Sequence, residues 1–248
     1  MEAELKPPRH RNDPGHRAGL TGPVRGTRYP MVDTAVVDVD GTLIDSNYQH
    51  ALAWYRAFRH YGFTLPVWRL HRAIGMGGDQ LVGSVAGDEV EERLGDELRA
   101  RWSAEFDPML HEVQPFDGAR ELLVELRDRG VTVVLASSGK PEHVDHYLEL
   151  IDGKSVAHGW TTSGDVDRTK PAPDLLQVAL RKAGGDSPVM VGDSVWDFAA
   201  ARRAGYPGYA LRTGGFSEQE LLEAGAAAVY DSLTELRENL DEVLTAHR

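Results

Sequence analysis

Two pairs of carboxylates follow short apolar runs of the chain, where they could act on one substrate. Asp38 and Asp40 follow a run rich in valine and precede Gly41, and Asp193 and Asp197 follow a second apolar run. Because residues i and i+2 of an extended strand point to the same side, Asp38 and Asp40 are spaced to work together. Gly41 lets the backbone turn sharply after them. The pattern therefore indicates a site built on carboxylates.

Four carboxylates at one site would repel one another, so the pattern predicts a cation between them. Oxygen ligands select Mg²⁺, Ca²⁺ or Mn²⁺ rather than zinc or copper, and Mg²⁺ keeps positions open for water and a substrate phosphate. One carboxylate can attack phosphorus to give an aspartyl-phosphate, and a second can carry the proton to the leaving oxygen. These residue types favour phosphoryl transfer that depends on Mg²⁺.

Hydroxyl and amine groups stand beside two further predicted elements. Ser137 and Ser138 follow the apolar run 131–136, and Lys170 precedes Pro171 and a predicted helix. A lysine together with a metal can neutralise a transferring phosphoryl group. Ser137 could instead cap a helix, and Ser138 could offer either its amide or its hydroxyl. We name all three as candidate phosphate-binding residues, a role that the family resemblance given below implies.

Alternating strands and helices must position these groups. Six runs are nearly all apolar, as expected for parallel strands covered on both faces, and amphipathic segments lie between them. The runs are residues 35–38, 131–136, 157–162, 188–191, 208–211 and 226–230, and helical spacing marks 119–129, 174–183 and 231–244. This order predicts an α/β fold with a doubly wound, Rossmann-like parallel sheet, whose ligand binds beyond the carboxyl ends of the strands.

A helical insertion interrupts the alternation after the first strand. It has no convincing strand, and helices are predicted at 47–61, around 80–85 and at 88–110. We therefore divide the chain into an extension of residues 1–31, a core of residues 32–45 and 116–248, and an all-helical cap domain of residues 46–115.

The extension is basic and rich in proline. It carries six Lys or Arg residues against three acidic ones. Such a segment buries too little apolar surface to order itself, so we expect it to be flexible. It could touch an anionic partner, or translation could begin at Met31 instead.

The composition excludes several classes of protein. The 248 residues carry a net charge of −12, which argues against a nucleic-acid groove or an anionic membrane surface as partner. No apolar run approaches the roughly 20 residues of a membrane span. The chain has no cysteine, so disulfides, thiolate catalysis and cysteine–zinc sites are excluded. We expect a cytoplasmic protein, either a monomer or a homodimer.

The four groups together resemble the motifs of the haloacid dehalogenase superfamily. The first motif has the form DxDGT, here residues 38–42, the second is Ser137, the third is Lys170 followed by proline, and the fourth is the pair Asp193 and Asp197. The resemblance covers residues 33 to about 240.

The resemblance implies a role for each motif residue. Asp38 would be the nucleophile and Asp40 the general acid and base, while Ser137 and Lys170 would hold the phosphoryl group. Mg²⁺ would bind Asp38, the backbone carbonyl of Asp40 and Asp193. Asp197 would either bind the metal through water or support another ligand.

The insertion resembles the helical cap of phosphoglycolate phosphatase and beta-phosphoglucomutase relatives, which closes over the active site. On the substrate side we name three residues, Thr42, His50 and Arg72. Thr42 could equally brace its loop, and His50 could be a plain packing or surface residue. Arg72, like the nearby Arg69, could be a solvated helix charge.

Three functions fit this pattern. The first is a phosphatase acting on a small phosphorylated metabolite, such as phosphoglycolate, a sugar phosphate or a nucleotide. The second is a phosphomutase of the beta-phosphoglucomutase type, and the third is a catalytically silent phosphate-binding protein. Asp40 disfavours dehalogenase and phosphonatase chemistry, because the enzymes of those types that the chain resembles lack an acid at this position.

Overall fold

A six-stranded parallel sheet forms the centre of the protein. The computed structural model describes residues 32–245, so the basic extension predicted at 1–31 lies outside the described residues. The strands are β1 (Thr34–Val37), β4 (Thr132–Ala136), β5 (Gly159–Thr161), β6 (Pro188–Gly192), β7 (Gly208–Leu211) and β8 (Ala228–Tyr230). Their spatial order is β5-β4-β1-β6-β7-β8. The predicted doubly wound sheet is confirmed, with the two outer strands shorter than their apolar runs.

The first strand lies at the point where the strand order changes direction. It pairs with β4 on one side and with β6 on the other, with Val37 opposite both Leu135 and Val191. All four of its residues are buried. Because ligands bind at such a switch point, the carboxyl end of β1 is the expected place for a site.

Helices cover both faces of the sheet. They are α5 (Ala119–Asp128), α6 (Pro141–Leu150), α7 (Asp174–Ala183), α8 (Val195–Ala204), α9 (Glu218–Ala224), α10 (Leu233–Glu238) and α11 (Leu240–Thr245). Successive residues of a strand point to opposite faces. Val36 accordingly packs in the cluster that contains Leu176 of α7, and Val37 packs in the cluster that contains Leu122 of α5. The single helix predicted at 231–244 is instead two helices that meet at Asn239.

A helical segment is inserted between two very short strands. These strands, β2 (Ile44–Asp45) and β3 (Gln114–Pro115), pair antiparallel. Between them lie α1 (Asn47–His60), α2 (Val67–His71), α3 (Gly78–Ala86) and α4 (Asp88–Phe106). The helix predicted at 88–110 ends at Phe106 and continues as a 3₁₀ turn, β3 falls inside the segment expected to lack strands, and α2 was not predicted.

The inserted segment, called the cap below, has an aromatic interior. Trp54 and Phe58 of α1 pack against Trp102 of α4, and the rings of Trp54 and Trp102 are stacked with centroids 5.3 Å apart. Phe106 extends the same stack at 5.7 Å from Trp102. These rings fill the interior of the cap and belong to the same hydrophobic cluster as Val37 of the sheet. In residues 32–245, no helix has both the length and the apolar composition needed to cross a membrane.

Candidate active site

The carboxyl end of the sheet brings the predicted site residues together. Asp38 follows β1, Ser137 follows β4 and Asp193 follows β6, and each of the three residues is at most 3% exposed. Lys170, on the loop before α7, and Asp197, in the first turn of α8, are each 1% exposed. Charged groups are rarely this buried unless they are paired or bind an ion, so their partners define the site.

Lys170 joins two of the buried carboxylates. Its ammonium group pairs with Asp38, lies 2.8 Å from Oδ1 of Asp197 and donates to the carbonyl of Ala136 at 2.9 Å. Burial alone would lower the pKa of Lys170, but the charges of Asp197 and Asp38 outweigh it and raise the pKa. The lysine is therefore held as a cation against Asp38.

A second set of donors holds Asp38 and Asp193 together. The hydroxyl of Thr42 lies 2.7 Å from Oδ1 of Asp193 and 3.1 Å from Oδ2 of Asp38. The side-chain amide of Asn47 donates to Oδ2 of Asp193 at 3.0 Å. Burial and the neighbouring Asp197 raise the pKa of Asp193 to about 7, and burial also raises the pKa of Asp38 despite Lys170. The negative charge of this cluster exceeds what its one lysine can balance.

These carboxylates fit a hard divalent cation. Oxygen atoms of Asp38, Asp193 and Asp197 lie within 4.8 Å of one another. The loops around Asp193 leave no room for side chains, because a Cβ on Gly214 would lie 1.8 Å from its Oδ2 and a Cβ on Gly41 would lie 2.4 Å away. An all-oxygen, buried donor set of this kind suits Mg²⁺, which would hold the carboxylates ionised.

Asp197 has both oxygens engaged by protein groups. Its Oδ2 accepts from the backbone amide of Ser194 at 3.0 Å and from the Ser194 hydroxyl at 2.6 Å, which caps α8. Its Oδ1 faces Lys170. The sequence left open whether Asp197 binds the metal through water or supports another ligand. The contacts with Ser194 and Lys170 give it a supporting role, and one of its carboxylate oxygens also lies close enough to Asp38 and Asp193 to share a cation with them.

Asp40 lies apart from this cluster, in a ring of donors. Nε2 of His50 donates to its Oδ1 at 3.0 Å and Ser46 donates to the same oxygen at 3.0 Å, while Ser137 donates to Oδ2 at 2.8 Å. Burial would raise the pKa of Asp40, but these hydrogen bonds lower it to about 2. Asp40 is thus ionised in this arrangement. The hydroxyl of Tyr147 lies 3.3 Å from His50 and extends the network.

The predicted phosphate-binding serines flank the same point. Ser137 accepts from the backbone amide of Gly139 at 2.8 Å and donates to Asp40, so its hydroxyl is fixed in place. Ser138 lies beside the cavity described below, with its hydroxyl 3.4 Å from the carbonyl of Gly75 in the cap. α6 begins only at Pro141, with Lys140 at the cap position, so Ser137 does not cap that helix.

The structure places the three substrate-side candidates differently. Thr42 braces the two carboxylates, and His50 faces Asp40 from the first helix of the cap. Arg72 lies away from the site: it pairs with Glu220 of α9, and its guanidinium carbon stands 3.8 Å from the centre of the Phe216 ring. Arg72 therefore connects cap to core instead of lining the cavity.

A small cavity of about 50 Å³ separates the cap from these carboxylates. Asp38, Asp40 and Gly139 line its core side, and Trp54, Ile74, Met76 and Trp102 line its cap side. A second cavity of about 280 Å³ shares Gly78, Trp102 and Ser138 with it and adds Arg99, Lys140 and Asp167. A phosphoryl group in the first cavity would face Asp38, and the rest of a substrate could continue into the second.

Several residues of the site were not predicted from the sequence. Asn47 and Ser46 lie at the start of the cap, Tyr147 lies on α6, and Thr169 precedes Lys170. Asn47, Tyr147 and Thr169 reach the site through contacts with distant parts of the chain. The single local signal was Ser46, which lies six residues after its partner Asp40.

Three comparisons place these residues in a known family. A family model described as haloacid dehalogenase-like hydrolase matches residues 32–205. The validoxylamine A 7'-phosphate phosphatase of Streptomyces hygroscopicus subsp. limoneus is 26% identical over 221 residues, which are 84% of this chain and 97% of that protein. A phosphoglycolate phosphatase of Vibrio vulnificus (strain CMCP6) is 29% identical over 230 residues, which are 84% of this chain and 95% of that protein.

A solved structure agrees with the sequence relatives. A hydrolase from Pseudomonas syringae superposes with a TM-score of 0.80 at 32% identity, over 85% of this chain and 98% of that one. The matched span contains the four motifs, whose side chains meet at the carboxyl end of the sheet. The chain belongs to the haloacid dehalogenase-like hydrolase family.

Proposed function

We propose that the protein is a Mg²⁺-dependent phosphatase that hydrolyses a small phosphorylated metabolite through an aspartyl-phosphate on Asp38. One observation carries the proposal: Asp38 is buried between Lys170 and Thr42 and faces the cavity together with Asp40. Burial raises the pKa of Asp38 despite Lys170, and bound Mg²⁺ would add the positive charge that keeps its carboxylate ionised as a nucleophile on phosphorus. The phosphatase names of two relatives support this reaction class.

The first half-reaction uses both acids of the first motif. An oxygen of Asp38 forms a bond to phosphorus while the bond to the leaving oxygen breaks, and Asp40 gives that oxygen a proton. Bound Mg²⁺, held by Asp38, Asp193 and the Asp40 carbonyl, would supply positive charge to the phosphoryl oxygens. Lys170 adds a second positive charge next to Asp38.

Asp40 must gain a proton before it can act as an acid. Binding of the substrate's phosphoryl group would favour this protonation. Its low pKa depends partly on the hydrogen bond from Ser137. A phosphoryl group bound to Ser137 would compete for that hydroxyl and bring negative charge close to Asp40. Both changes raise the pKa of Asp40 towards the range of a proton donor.

The second half-reaction restores the enzyme. Asp40, now ionised, takes a proton from water, which attacks phosphorus and releases phosphate from Asp38. His50 and Ser46 hold the Asp40 carboxylate in position for both steps, since both donate to Oδ1. Roles of this kind typically contribute about 10²- to 10⁴-fold in rate.

The cavity walls narrow the proposed substrate. Among the described residues that line the first cavity on the cap side, none is a lysine or arginine. The side chains of this wall are those of Trp54, Trp102, Ile74, Met76 and His50, and the imidazole of His50 is engaged with Asp40. The part of the substrate next to the phosphoryl group should therefore be uncharged and present an apolar face. The second cavity gives space for a larger, polar remainder.

The function is tested by phosphate release from a panel of phosphorylated metabolites, with Mg²⁺ and with chelator. We expect release from at least one compound, lost with chelator and restored by Mg²⁺. Activity that persists at full rate without a divalent cation would contradict the metal dependence. No release from any compound, followed by isomerisation of a sugar phosphate, would identify a phosphomutase instead.

A further inference from the structure

Cap and core meet through a hydrogen-bonded contact beside the catalytic lysine. The hydroxyl of Thr169 in the core accepts from the backbone amide of Gly77 in the cap at 3.0 Å. The carboxylate of Asp79, in the first turn of α3, accepts from the backbone amide of Thr169 at 3.1 Å and also bonds its hydroxyl. Thr169 is 3% exposed. The backbone amide and the hydroxyl of this one core residue are thus both hydrogen-bonded to the cap.

The hydrogen bonds between Thr169 and the cap form only when the cap loop lies close to the core. A Cβ on Gly77 would lie 2.3 Å from the Thr169 hydroxyl and 2.6 Å from an oxygen of Asp79. The cap loop therefore reaches Thr169 only because position 77 has no side chain. The amide and hydroxyl of Thr169 would lose these partners whenever the cap moved away from the core.

The next residue along the chain is the lysine that balances the nucleophile. Lys170 pairs with Asp38 and lies 2.8 Å from Asp197. A shift of the Thr169 backbone moves the start of the Lys170 side chain as well. Asp79 does not line the first cavity, but it lines the second one together with Thr169. An effect of Asp79 on Lys170 would pass through Thr169 and appear in kcat, whereas a lost contact with substrate in the second cavity would appear in KM.

We propose that Asp79 is a positioning residue that couples cap closure to the placement of Lys170. When the cap is seated, Asp79 and Gly77 fix Thr169, and the ammonium group of Lys170 is held at Asp38. When the cap opens, Thr169 loses these two partners, and the backbone that carries Lys170 can shift while its ammonium group keeps its core partners Asp197 and Ala136. This inference rests on the proposed function, because it assigns the lysine a role in phosphoryl transfer.

Other contacts between cap and core involve different elements of the core and do not include Thr169. Arg72 bonds Glu220 of α9, and Nε1 of Trp196 in α8 donates to the Arg72 carbonyl at 3.1 Å. His143 of α6 lies 2.8 Å from Asp107. These pairs hold the cap on the core. The contact of Asp79, by contrast, is made to Thr169, the residue directly before Lys170.

The test compares four variants on the substrate that the wild type hydrolyses. Asp79→Ala and Thr169→Val remove the contact, and Thr169→Ser keeps the hydroxyl. Asp88→Ala is the matched control, because Asp88 is an exposed acid in the first turn of another cap helix, α4. We expect Asp79→Ala and Thr169→Val to lower kcat by about 10- to 100-fold, as for a displaced catalytic group. Thr169→Ser and Asp88→Ala should keep the wild-type kcat and melting temperature. Asp79→Ala and Thr169→Val should remain folded at the assay temperature but melt at a lower temperature, because each leaves a buried polar partner without its hydrogen bond.

A second readout does not depend on turnover. The exchange rate of the Thr169 backbone amide with solvent deuterium should rise in Asp79→Ala and stay at the wild-type value in Asp88→Ala. Wild-type kcat together with unchanged exchange in Asp79→Ala would overturn the proposal, as would a loss of kcat shared equally by Asp88→Ala. If the wild type releases no phosphate from any compound, the proposed function fails, and the exchange rates still decide whether Asp79 anchors Thr169.

Discussion

At the scale of single residues, Lys170 is the group whose environment is most extreme. It is 1% exposed and has two carboxylate partners, Asp38 and Asp197. Placing a charge in a protein interior costs several kcal/mol unless its partners compensate. Here the compensation is mutual, because the same lysine offsets part of the repulsion among the carboxylates. The ion pair that serves the proposed chemistry therefore also determines the stability of the site.

Replacing this lysine should damage folding as well as activity. Lys170→Ala leaves Asp38 and Asp197 buried without their cation, which we expect to cost about 3–5 kcal/mol in the free energy of unfolding. Denaturant titration of the metal-free protein measures this change in the free energy of unfolding. The matched control is Lys182→Ala, because Lys182 pairs with Asp165 at the surface with 39% and 32% of the side chains exposed, and such pairs contribute about 0–1 kcal/mol. Equal losses of unfolding free energy in Lys170→Ala and Lys182→Ala would show that the burial of Lys170 does not increase its contribution to stability.

At the scale of elements, the loops that follow the strands shape the site around Asp193. Gly214 lies in a short 3₁₀ turn after β7, and its Cα approaches the Asp193 carboxylate closely enough that a Cβ would overlap it. Gly41, after β1, approaches the same carboxylate from the other side. The loops after β1 and β7 thus leave a single position for the side chain of Asp193.

Gly214→Ala should therefore impair metal binding. The added methyl would lie 1.8 Å from Oδ2 of Asp193 and must displace it. We expect the Mg²⁺ concentration for half-maximal activity to rise by about 10- to 100-fold, the usual cost of disturbing the groups around a metal ligand. Gly164→Ala is the control, since a Cβ there meets its nearest atoms at an ordinary 3.5 Å. An unchanged Mg²⁺ requirement in Gly214→Ala would argue against Asp193 as a ligand.

The sequence predicted the parts of the site that are local in the chain. Asp38, Ser137 and Asp193 each follow an apolar strand, so parallel pairing alone brings them to one edge. Contacts between distant segments could not be read this way, among them Asn47 with Asp193 and Asp79 with Thr169. Arg72 shows the same limit, because its partner Glu220 is 148 residues away in the chain.

Secondary structure was predictable to a similar extent. The central strands have unbroken apolar runs, and they formed where expected. The predicted helix 231–244 divides at Asn239, whose side-chain amide donates to the carbonyl of Glu235 at 2.8 Å. Asparagine competes for backbone groups in this way, and the spacing of the leucines alone does not reveal it.

At the scale of the whole molecule, the closed cap determines what can reach Asp38. The cap is seated on the core through Asp79, Arg72 and Asp107, and it leaves only a cavity of about 50 Å³ above the nucleophile. In the proposed mechanism, such closure would exclude water during the first half-reaction and would reverse for product to leave. We therefore expect the cap wall and the second cavity to select the substrate.

This arrangement predicts a preference among phosphorylated compounds. A hexose phosphate would present an uncharged ring to Trp54 and Trp102 and could extend towards Lys140, which lines the second cavity. The carboxylate of 2-phosphoglycolate would instead lie against an apolar wall, where an unpaired charge costs several kcal/mol. We expect kcat/KM for the hexose phosphate to be at least about 10-fold higher, since about 1.4 kcal/mol corresponds to that factor. A preference for 2-phosphoglycolate would contradict the proposed substrate class and leave the mechanism in place.

The nucleophile assignment is tested most directly by detecting the phosphoryl group on Asp38. The wild type is mixed with its substrate and Mg²⁺, quenched in acid within one turnover, and digested for mass spectrometry. We predict a phosphorylated peptide that contains Asp38, absent from Asp38→Asn, which should also lose turnover because a neutral amide does not attack phosphorus. Asp45→Asn, an exposed acid at the start of the cap, serves as the control and should behave as wild type. Near-normal turnover by Asp38→Asn would contradict the covalent mechanism.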